Sequence, residues 1–292
     1  MSEEPVVDFR AAGLTFGRRT LWSGLDLQVR PGEYIAVLGG NGTGKTSMLR
    51  VLLGLLPLSE GSVHVLGHAP RRGSTEIGYV PQQRAFPAEA PMRARDLVGL
   101  GLDGHRWGLR LSGRREARRR IEQSLERVGA LGYADAPVGS LSGGEQQRLR
   151  IAQALITDPR LLLFDEALLS LDLTRQSEVA SLVAEQSRRT GAATLFVTHD
   201  VNPIIDDVDR VLYLANGAFR IGAPQEVLRS EVLSELYGSP VEVVRAGGRV
   251  IVAGAQREDA HHVEDVVEPV IGHASDPYMA PGAEAPAERS PR

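Results

Sequence analysis

The fold is decided by the stretch Gly39-Gly40-Asn41-Gly42-Thr43-Gly44-Lys45-Thr46, which lies between an apolar run and a helical pattern. Its form, G-x-x-x-x-G-K-[ST], is typical of a phosphate-binding loop between a buried strand and a helix. Glycines let successive backbone N–H groups turn inward around a polyphosphate, and the helix N-terminus adds partial positive charge. We expect Lys45 to contact the β- and γ-phosphates and Thr46 to coordinate Mg²⁺.

Composition narrows the class of protein. The chain has 292 residues, a net charge of −4 and no cysteine, which excludes disulfides, thiolate metal sites and cysteine nucleophiles. The charge gives no indication of nucleic acid as a partner. Lysine occurs once, at Lys45, among 33 basic side chains, so we infer that arginine cannot replace it there. No stretch reaches the roughly 18 apolar residues of a membrane-spanning helix, and the first residues do not resemble a signal peptide. We therefore expect a soluble, cytoplasmic protein.

Hydrophobic periodicity predicts an α/β protein. Alternation at 6–11 and 25–29 predicts half-buried strands, and Tyr34–Leu38 predicts a buried one. After the phosphate loop we predict a helix from Thr46 to Leu56, stopped by Pro57, and then a hairpin-like stretch at Gly61–Gly67. Apolar strands then alternate with helices, at Leu161–Phe164, 174–189, Thr194–Thr198 and Val211–Leu214. This alternation favours a mainly parallel core sheet covered on both faces.

Two acids end the predicted strand Leu161–Phe164. Asp165 is expected beside the Mg²⁺ sphere, and Glu166 is expected to face the γ-phosphate as general base on water. Alone, such a pair is more often a solvated strand end. Together with the phosphate loop it completes the set that phosphoryl transfer requires, namely a cation cradle, a metal-holding acid and a residue that orients water.

A second anion site is indicated by Leu141-Ser142-Gly143-Gly144-Glu145-Gln146-Gln147-Arg148. Ser142 and Glu145 have the spacing of a capping box at the start of a helix. A capped helix does not require Gly143 and Gly144, since each glycine costs a helix about 1 kcal/mol, whereas paired glycines at a helix N-terminus suit an anion. This octapeptide closely resembles the signature motif of the ABC ATPase family.

Further segments resemble motifs of that family and follow its order along the chain. Gln82, in Tyr79-Val80-Pro81-Gln82, resembles the glutamine-loop residue that senses Mg²⁺ and the interface. His199 resembles the switch histidine at the γ-phosphate, Phe16 resembles the aromatic residue that stacks on adenine, and Ser170-Leu171-Asp172 resembles the D-loop. Two positions depart from the family, because Ala167 stands where many members have proline and Phe16 where tyrosine is commoner.

The resemblance covers residues 5–220 and implies the P-loop NTPase fold of ABC ATPases, with a mainly parallel core sheet, an N-terminal antiparallel β subdomain and an α-helical insertion. It implies ATP and Mg²⁺ as cofactors, Lys45, Glu166 and His199 as catalytic residues, and Thr46, Gln82 and Asp165 at the metal. Two copies would dimerise head to tail, each signature motif covering the other's ATP. The implied nucleotide-binding residues are Phe16, Gly39, Gly40, Asn41, Gly42, Thr43, Gly44, Lys45, Thr46, Ser47, Gln82, Ser142, Gly143 and Gly144.

The resemblance also implies membrane partners. Transport requires a pore, so integral membrane permeases would dock around Gln82 and the helical insertion, with an extracytoplasmic solute-binding protein as an indirect partner. The chain would then lie peripherally on the cytoplasmic face of the cell membrane. The arginine run 114–120 would either touch anionic lipid or form a solvated helix face.

Changes in composition and hydrophobic pattern along the chain predict its domains. We expect an ABC ATPase domain at 5–240 with its helical subdomain at about 85–140, a C-terminal β-hairpin at 241–254 and a disordered tail at 255–292. This tail contains candidate divalent-metal ligands, although a flexible polar segment is the simpler interpretation. The candidate ligands are His261, His262, Glu264, Asp265 and His273.

Only the family resemblance indicates the cargo, because the cargo never touches the ATPase. The segments Thr198–Pro203, Asp209–Gly217 and Leu236–Val241 resemble ATPases of zinc and manganese uptake systems. Uptake of an iron-siderophore or an amino acid is the alternative. A soluble non-transport ABC ATPase and a pure binding module also stay open; the former usually carries two cassettes, a coiled coil or a zinc insert, and the latter would lack turnover.

Overall fold

The computed structural model describes residues 4–82, 86–87, 89–103, 113–168 and 171–254. The candidate ligands in the tail and Ser170 lie outside these ranges. The strands are β1 (Val7–Phe16), β2 (Arg19–Val29), β3 (Tyr34–Gly39), β4 (Glu60–Val65), β5 (Ile77–Val80), β6 (Leu161–Asp165), β7 (Ala193–Val197), β8 (Arg210–Ala215), β9 (Ala218–Gly222), β10 (Val241–Ala246) and β11 (Arg249–Gly254). The helices are α1 (Lys45–Leu52), α2 (Ala94–Asp103), α3 (Arg114–Arg127), α4 (Gly143–Leu155), α5 (Leu173–Thr190), α6 (Pro224–Val227) and α7 (Ser230–Tyr237).

The central sheet has the strand order β5-β6-β7-β3-β8-β9. Its first five strands are parallel and β9 is antiparallel to β8, so the predicted mainly parallel sheet is confirmed. Alternate side chains of β3 enter two different cores: Tyr34 and Leu38 pack on one face of the sheet, and Ile35 and Val37 on the other. A strand covered on both faces must be apolar at every position, which explains the continuous run in the sequence.

The carboxyl ends of neighbouring parallel strands meet at one edge of this sheet. The phosphate loop follows β3, Glu166 follows β6, and His199 follows β7 after one residue. Because β6, β7 and β3 are adjacent, their order alone brings these three segments together.

A second sheet, β2-β1-β4, is antiparallel throughout. The stretch Gly61–Gly67, which the sequence suggested as a hairpin, instead contributes the single strand β4, whose Val65 pairs with Val7 of β1. Phe16 ends β1 opposite Arg19 of β2, so the aromatic side chain lies at the tip of the β1–β2 hairpin.

Helix α1 is shorter than the sequence predicted. It ends at Leu52, not at Leu56, because Gly54 adopts a left-handed conformation with φ of 69°. The N–H of Gly54 donates to Val51 and that of Leu55 to Arg50, which is the Schellman arrangement that closes a helix. The glycine therefore stops the helix before Pro57 is reached.

Three helices, α2, α3 and α4, follow β5 and precede β6 in the sequence, and they pack on one another. Ser124 on α3 donates its hydroxyl proton to the carbonyl of Ala152 on α4 at 2.6 Å, within a buried contact. The arginines at 118–120 are exposed and form ion pairs along their own helix with Glu116 and Glu122. In the part of the chain that the structure describes, none of the helices has the length and hydropathy needed to span a bilayer.

Candidate functional site

The geometry of the phosphate loop explains two of its glycines. Gly39 has φ of 145°, and a Cβ there would lie 2.3 Å from the carbonyl oxygen of Leu214. Gly44 has φ of 95°, and a Cβ would lie 2.9 Å from Nε1 of Trp22. Gly44 is also the N-cap of α1 and no side chain caps the helix there, so its first N–H groups are open to an anion.

The side chain of Lys45 folds back against the backbone of the phosphate loop. This side chain is buried, with the residue 5% exposed, and Nζ donates to the carbonyl oxygens of Gly39 and Gly40, each at 2.8 Å. Burial lowers the pKa of the ammonium group, while the nearby carboxylates of Glu166 and Asp165 oppose that shift. The loop thus holds a cation beside the open helix N-terminus.

The tip of the loop is closed by Thr43, whose hydroxyl donates to the carbonyl of Gly40 at 3.0 Å. Asn41 and Gly42 are exposed, and a Cβ on Gly42 would lie 3.3 Å from the guanidinium of Arg19. Phe16, opposite Arg19 in the hairpin, is 49% exposed. The hairpin tip with its free aromatic face therefore lies next to the phosphate loop.

Asp165 and Thr46 form an oxygen-rich pair. The Thr46 hydroxyl donates to Asp165 Oδ1 at 2.9 Å, and the Tyr79 hydroxyl donates to Asp165 Oδ2 at 3.3 Å. Burial raises the pKa of Asp165, and these two hydrogen bonds counteract part of the rise. Hydroxyl and carboxylate oxygens are ligands that Mg²⁺ accepts, so the pair fits this ion.

Tyr79 is a site residue that the sequence did not single out. Burial beside Asp165 raises the pKa of its phenol to about 12, so the hydroxyl stays protonated and remains a donor at neutral pH. The only signal in the sequence was its position three residues before Gln82. The parallel register of β5 with β6, in which Tyr79 pairs with Leu163, brings it to Asp165.

Glu166 has a strained backbone and two side-chain partners. Its φ is 49°, in the left-handed region that a non-glycine residue rarely adopts, and its N–H donates to the carbonyl of Val197 at 2.9 Å. The carboxylate accepts a hydrogen bond from Nε2 of Gln82 at 2.6 Å and lies 2.5 Å from Nε2 of His199. Three residues from distant parts of the chain are thus joined at one carboxylate.

The signature segment forms the start of α4, and the predicted capping box is confirmed. Ser142 is the N-cap; its N–H and hydroxyl donate to Glu145 Oε2 at 2.8 and 2.7 Å, and the N–H of Glu145 donates back to the hydroxyl at 3.4 Å. These hydrogen bonds lower the pKa of the Glu145 carboxyl. A Cβ on Gly143 would meet no atom of the described residues within 4 Å, whereas one on Gly144 would contact the flexible side chain of Arg175.

The positions of three further candidates, Ser47, Asp172 and Ser142, complete the description of the site. Ser47 is in the first turn of α1, directly after Thr46. Asp172, in the segment that resembles the D-loop, caps α5 by accepting from the N–H of Arg175 at 3.0 Å. Among the described residues, the hydrogen bonds of Ser142 stay within its own turn, and none joins it to the phosphate loop.

The site therefore has two parts with different chemistry. One part combines an ammonium group, an open helix N-terminus and an oxygen pair, a combination that binds a polyphosphate with a hard cation. The other combines Glu166 with His199 and Gln82, which suits the orientation and deprotonation of a water molecule.

Comparisons with known proteins show the family to which the chain is similar. A protein-family model described as ABC transporter matches residues 22–169. The zinc import ATP-binding protein ZnuC of Pseudomonas fluorescens is 30% identical over 273 residues, which cover 92% of this chain and 95% of that protein. The aliphatic sulfonates import ATP-binding protein SsuB 2 of Paracoccus denitrificans is 39% identical over 216 residues, covering 72% and 78%. A solved metal-chelate type ABC transporter in an inward-facing conformation matches with a TM-score of 0.72 and 25% identity, over 87% of this chain and 99% of the other.

Proposed function

The chain belongs to the ABC transporter family as the ATP-hydrolysing subunit of an importer, and from this premise we propose that its cargo is a divalent metal ion, zinc or manganese. Relatives named for zinc import support this proposal over most of the chain. The proposal is also supported by three segments that resemble ATPases of zinc and manganese uptake systems, at 198–203, 209–217 and 236–241. The sulfonate importer relative favours an organic anion as the second candidate.

The observation that carries the catalytic assignment is the set of contacts at the edge of the central sheet. Lys45 and the open N-terminus of α1 bind the β- and γ-phosphates of ATP, and Phe16 stacks on its adenine. Thr46, Asp165 and Gln82 would hold Mg²⁺, which neutralises phosphate charge when bound. Glu166 takes a proton from the attacking water, while His199 holds the Glu166 carboxylate and the γ-phosphate. The nucleotide-binding set is the one named from the sequence: Phe16, Gly39–Ser47, Gln82, Ser142, Gly143 and Gly144.

A second copy of the chain completes the site. Among the residues that the structure describes, the hydrogen bonds of Ser142 lie within its own turn, yet Gly143 leaves open space at the N-terminus of α4, where an anion is favoured. In a head-to-tail dimer this helix end would cover the γ-phosphate held by Lys45 of the partner. Each ATP would then be shared between two copies, and its hydrolysis would open the interface.

The same proposal includes the domain division and the place of action. The ATPase domain spans 5–240 with its helical subdomain at about 85–140, followed by a hairpin at 241–254 and the tail at 255–292. Integral membrane permeases dock on the helical subdomain and on the surface around Gln82, and a solute-binding protein delivers cargo on the other side. The chain then acts on the cytoplasmic face of the membrane.

Uptake measurements test the cargo. Cells that lack this chain should lose high-affinity uptake of radiolabelled zinc or manganese, and a plasmid copy should restore it. A Lys45→Ala copy at equal expression is the matched control, because without the ammonium group ATP binding is lost and uptake stays absent. Loss of sulfonate, siderophore-iron or amino-acid uptake with metal uptake intact would contradict the metal assignment and identify the other cargo.

A further inference from the structure

The segment that carries His199 is held by hydrogen bonds of its own side chains. The Thr198 hydroxyl donates to the carbonyl of Asp200 at 2.9 Å and accepts from the Asp200 N–H at 3.2 Å. Asp200 Oδ1 accepts from the N–H of Asn202 at 2.9 Å and from its Nδ2 at 2.6 Å. His199 lies inside this switch segment, residues 198–202, so the position of its ring depends on the segment.

Asn202 also connects the switch segment to the end of the described chain. Its Nδ2 donates to the carbonyl of Val250 at 3.0 Å, and its Oδ1 accepts from the N–H of Val250 at 2.7 Å. Val250 lies on β11 of the two-stranded β10–β11 hairpin and is 6% exposed. The amide therefore pairs with the free edge of β11 as a neighbouring strand would, and both donors of its Nδ2 are used.

The hairpin is anchored independently at a second place. The Ser234 hydroxyl on α7 accepts from the N–H of Val241 at 2.9 Å and donates to its carbonyl at 3.1 Å. The N–H of Val243 donates to the hydroxyl of Ser230 at 2.9 Å. These contacts hold β10 against α7, so the Asn202 contact is not needed merely to attach the hairpin.

We propose that the C-terminal hairpin, residues 241–254, positions His199 for ATP hydrolysis, and that Asn202 is the positioning residue that transmits this constraint. The inference rests on the role proposed above for Glu166 and His199. With Asn202 bound to β11, the switch segment keeps its turn and His199 Nε2 stays beside the Glu166 carboxylate. A hairpin that moves away releases the segment, and the histidine loses that position while the phosphate loop is untouched.

Steady-state ATP hydrolysis by the full-length chain tests the proposal. Asn202→Ala should lower kcat about tenfold, because a small misplacement of a catalytic group costs this much or more, with KM and the Kd for ATP changed far less, since the phosphate loop is untouched. Ser234→Ala is the matched control, since it also removes two hydrogen bonds to the hairpin backbone but leaves the switch segment intact. It should keep wild-type kcat even if both variants melt at similarly lowered temperatures.

A second variant controls for the case in which Asn202→Ala does not fold. Asn202→Asp keeps the size of the side chain and the acceptor for Val250, but it loses both donors and puts a carboxylate beside Asp200. It should show the same loss of kcat with ATP affinity retained. Wild-type kcat in both Asn202 variants would overturn the proposal.

A double variant separates failure of this inference from failure of the proposed function. In a His199→Ala background, Asn202→Ala should have little further effect on kcat, because the two residues act through one contact. If His199→Ala itself leaves turnover unchanged, the catalytic assignment fails. If His199→Ala lowers turnover and the Asn202 effect simply adds to it, only the positioning role fails.

Discussion

At the scale of single residues, the phosphate loop is shaped for an ammonium group. Lys45 Nζ lies between two carbonyl oxygens at 2.8 Å and its residue is 5% exposed. A guanidinium group is planar and wider, with donors in a fixed fork. Lys45→Arg should therefore weaken ATP binding about tenfold or more, although the charge is kept. Isothermal titration measures this, and Arg50→Lys, at the exposed end of the same helix, should bind ATP normally; equal binding by Lys45→Arg would contradict the prediction.

Tyr79 gives a prediction about pH. Its hydroxyl donates to the charged form of Asp165, and such a bond lowers the pKa of a carboxyl group. Tyr79→Phe removes the bond, so the pKa of Asp165 rises further above its usual value, and the carboxylate is lost at a higher pH as the solution is acidified. The acid limb of the pH profile of kcat/KM should shift to higher pH. Tyr133→Phe is the control, because the buried Tyr133 hydroxyl has no hydrogen-bond partner among the described residues; an unshifted limb in Tyr79→Phe would exclude the role.

Local motifs and distant contacts differ in how far the sequence predicts them. The chemistry of residues 39–46 is contained in eight consecutive positions, because the strand, the turn and the helix start are all local. The contact between Tyr79 and Asp165 joins positions 86 apart, and that between Gln82 and Glu166 joins positions 84 apart. Only the parallel pairing of β5 with β6 creates such contacts, so Tyr79 gave no signal of its own.

At the scale of elements, a buried hydrogen bond joins α3, in the predicted helical insertion, to α4. Ser124 on α3 is 1% exposed and donates to Ala152 on α4. Ser124→Ala should lower the free energy of unfolding by about 1 kcal/mol, the usual net value of such a bond, without changing the Kd for ATP. Denaturant unfolding measures the change.

Ser177→Ala is the control for Ser124. Its hydroxyl donates to the carbonyl of Leu173 one turn back on the exposed side of α5, and this kind of bond contributes little to stability. An equal loss of stability in both variants would show that the contact between α3 and α4 carries no special weight.

Element boundaries follow local stereochemistry more closely than composition. The apolar run after the phosphate loop continues to Leu56 in the sequence, yet the Schellman arrangement at Gly54 ends α1 at Leu52. The stretch at 61–67 has glycines at both ends, as a hairpin would, yet β4 finds its partner in β1 far upstream. Turn residues mark where an element stops, while its partner depends on the whole fold.

At the scale of the whole molecule, alternating strands and helices were sufficient to predict a mainly parallel sheet. The order β7-β3-β8 was not predictable in the same way, because the pairing of strands distant in sequence is decided by which faces must be covered. The antiparallel strand β9 also escaped detection, since its residues are only half buried and its pattern resembles that of a surface loop. The order of the strands nevertheless decides which motifs meet at the site.

The proposed head-to-tail dimer gives the prediction for the whole molecule. Glu166→Gln keeps the size of the side chain but removes the base, so ATP should bind with unchanged affinity and turnover should fall at least a hundredfold. Since hydrolysis would open the proposed dimer, the ATP-loaded variant should accumulate at twice the 31.5 kDa mass of one chain, as measured by light scattering after gel filtration. Glu185→Gln makes the same chemical change at an exposed position of α5 and should hydrolyse ATP normally. Adding Ser142→Glu to Glu166→Gln should prevent dimerisation, because a carboxylate then faces the partner's γ-phosphate; a stable ATP-loaded dimer of that double variant would rule out the proposed place of the signature helix.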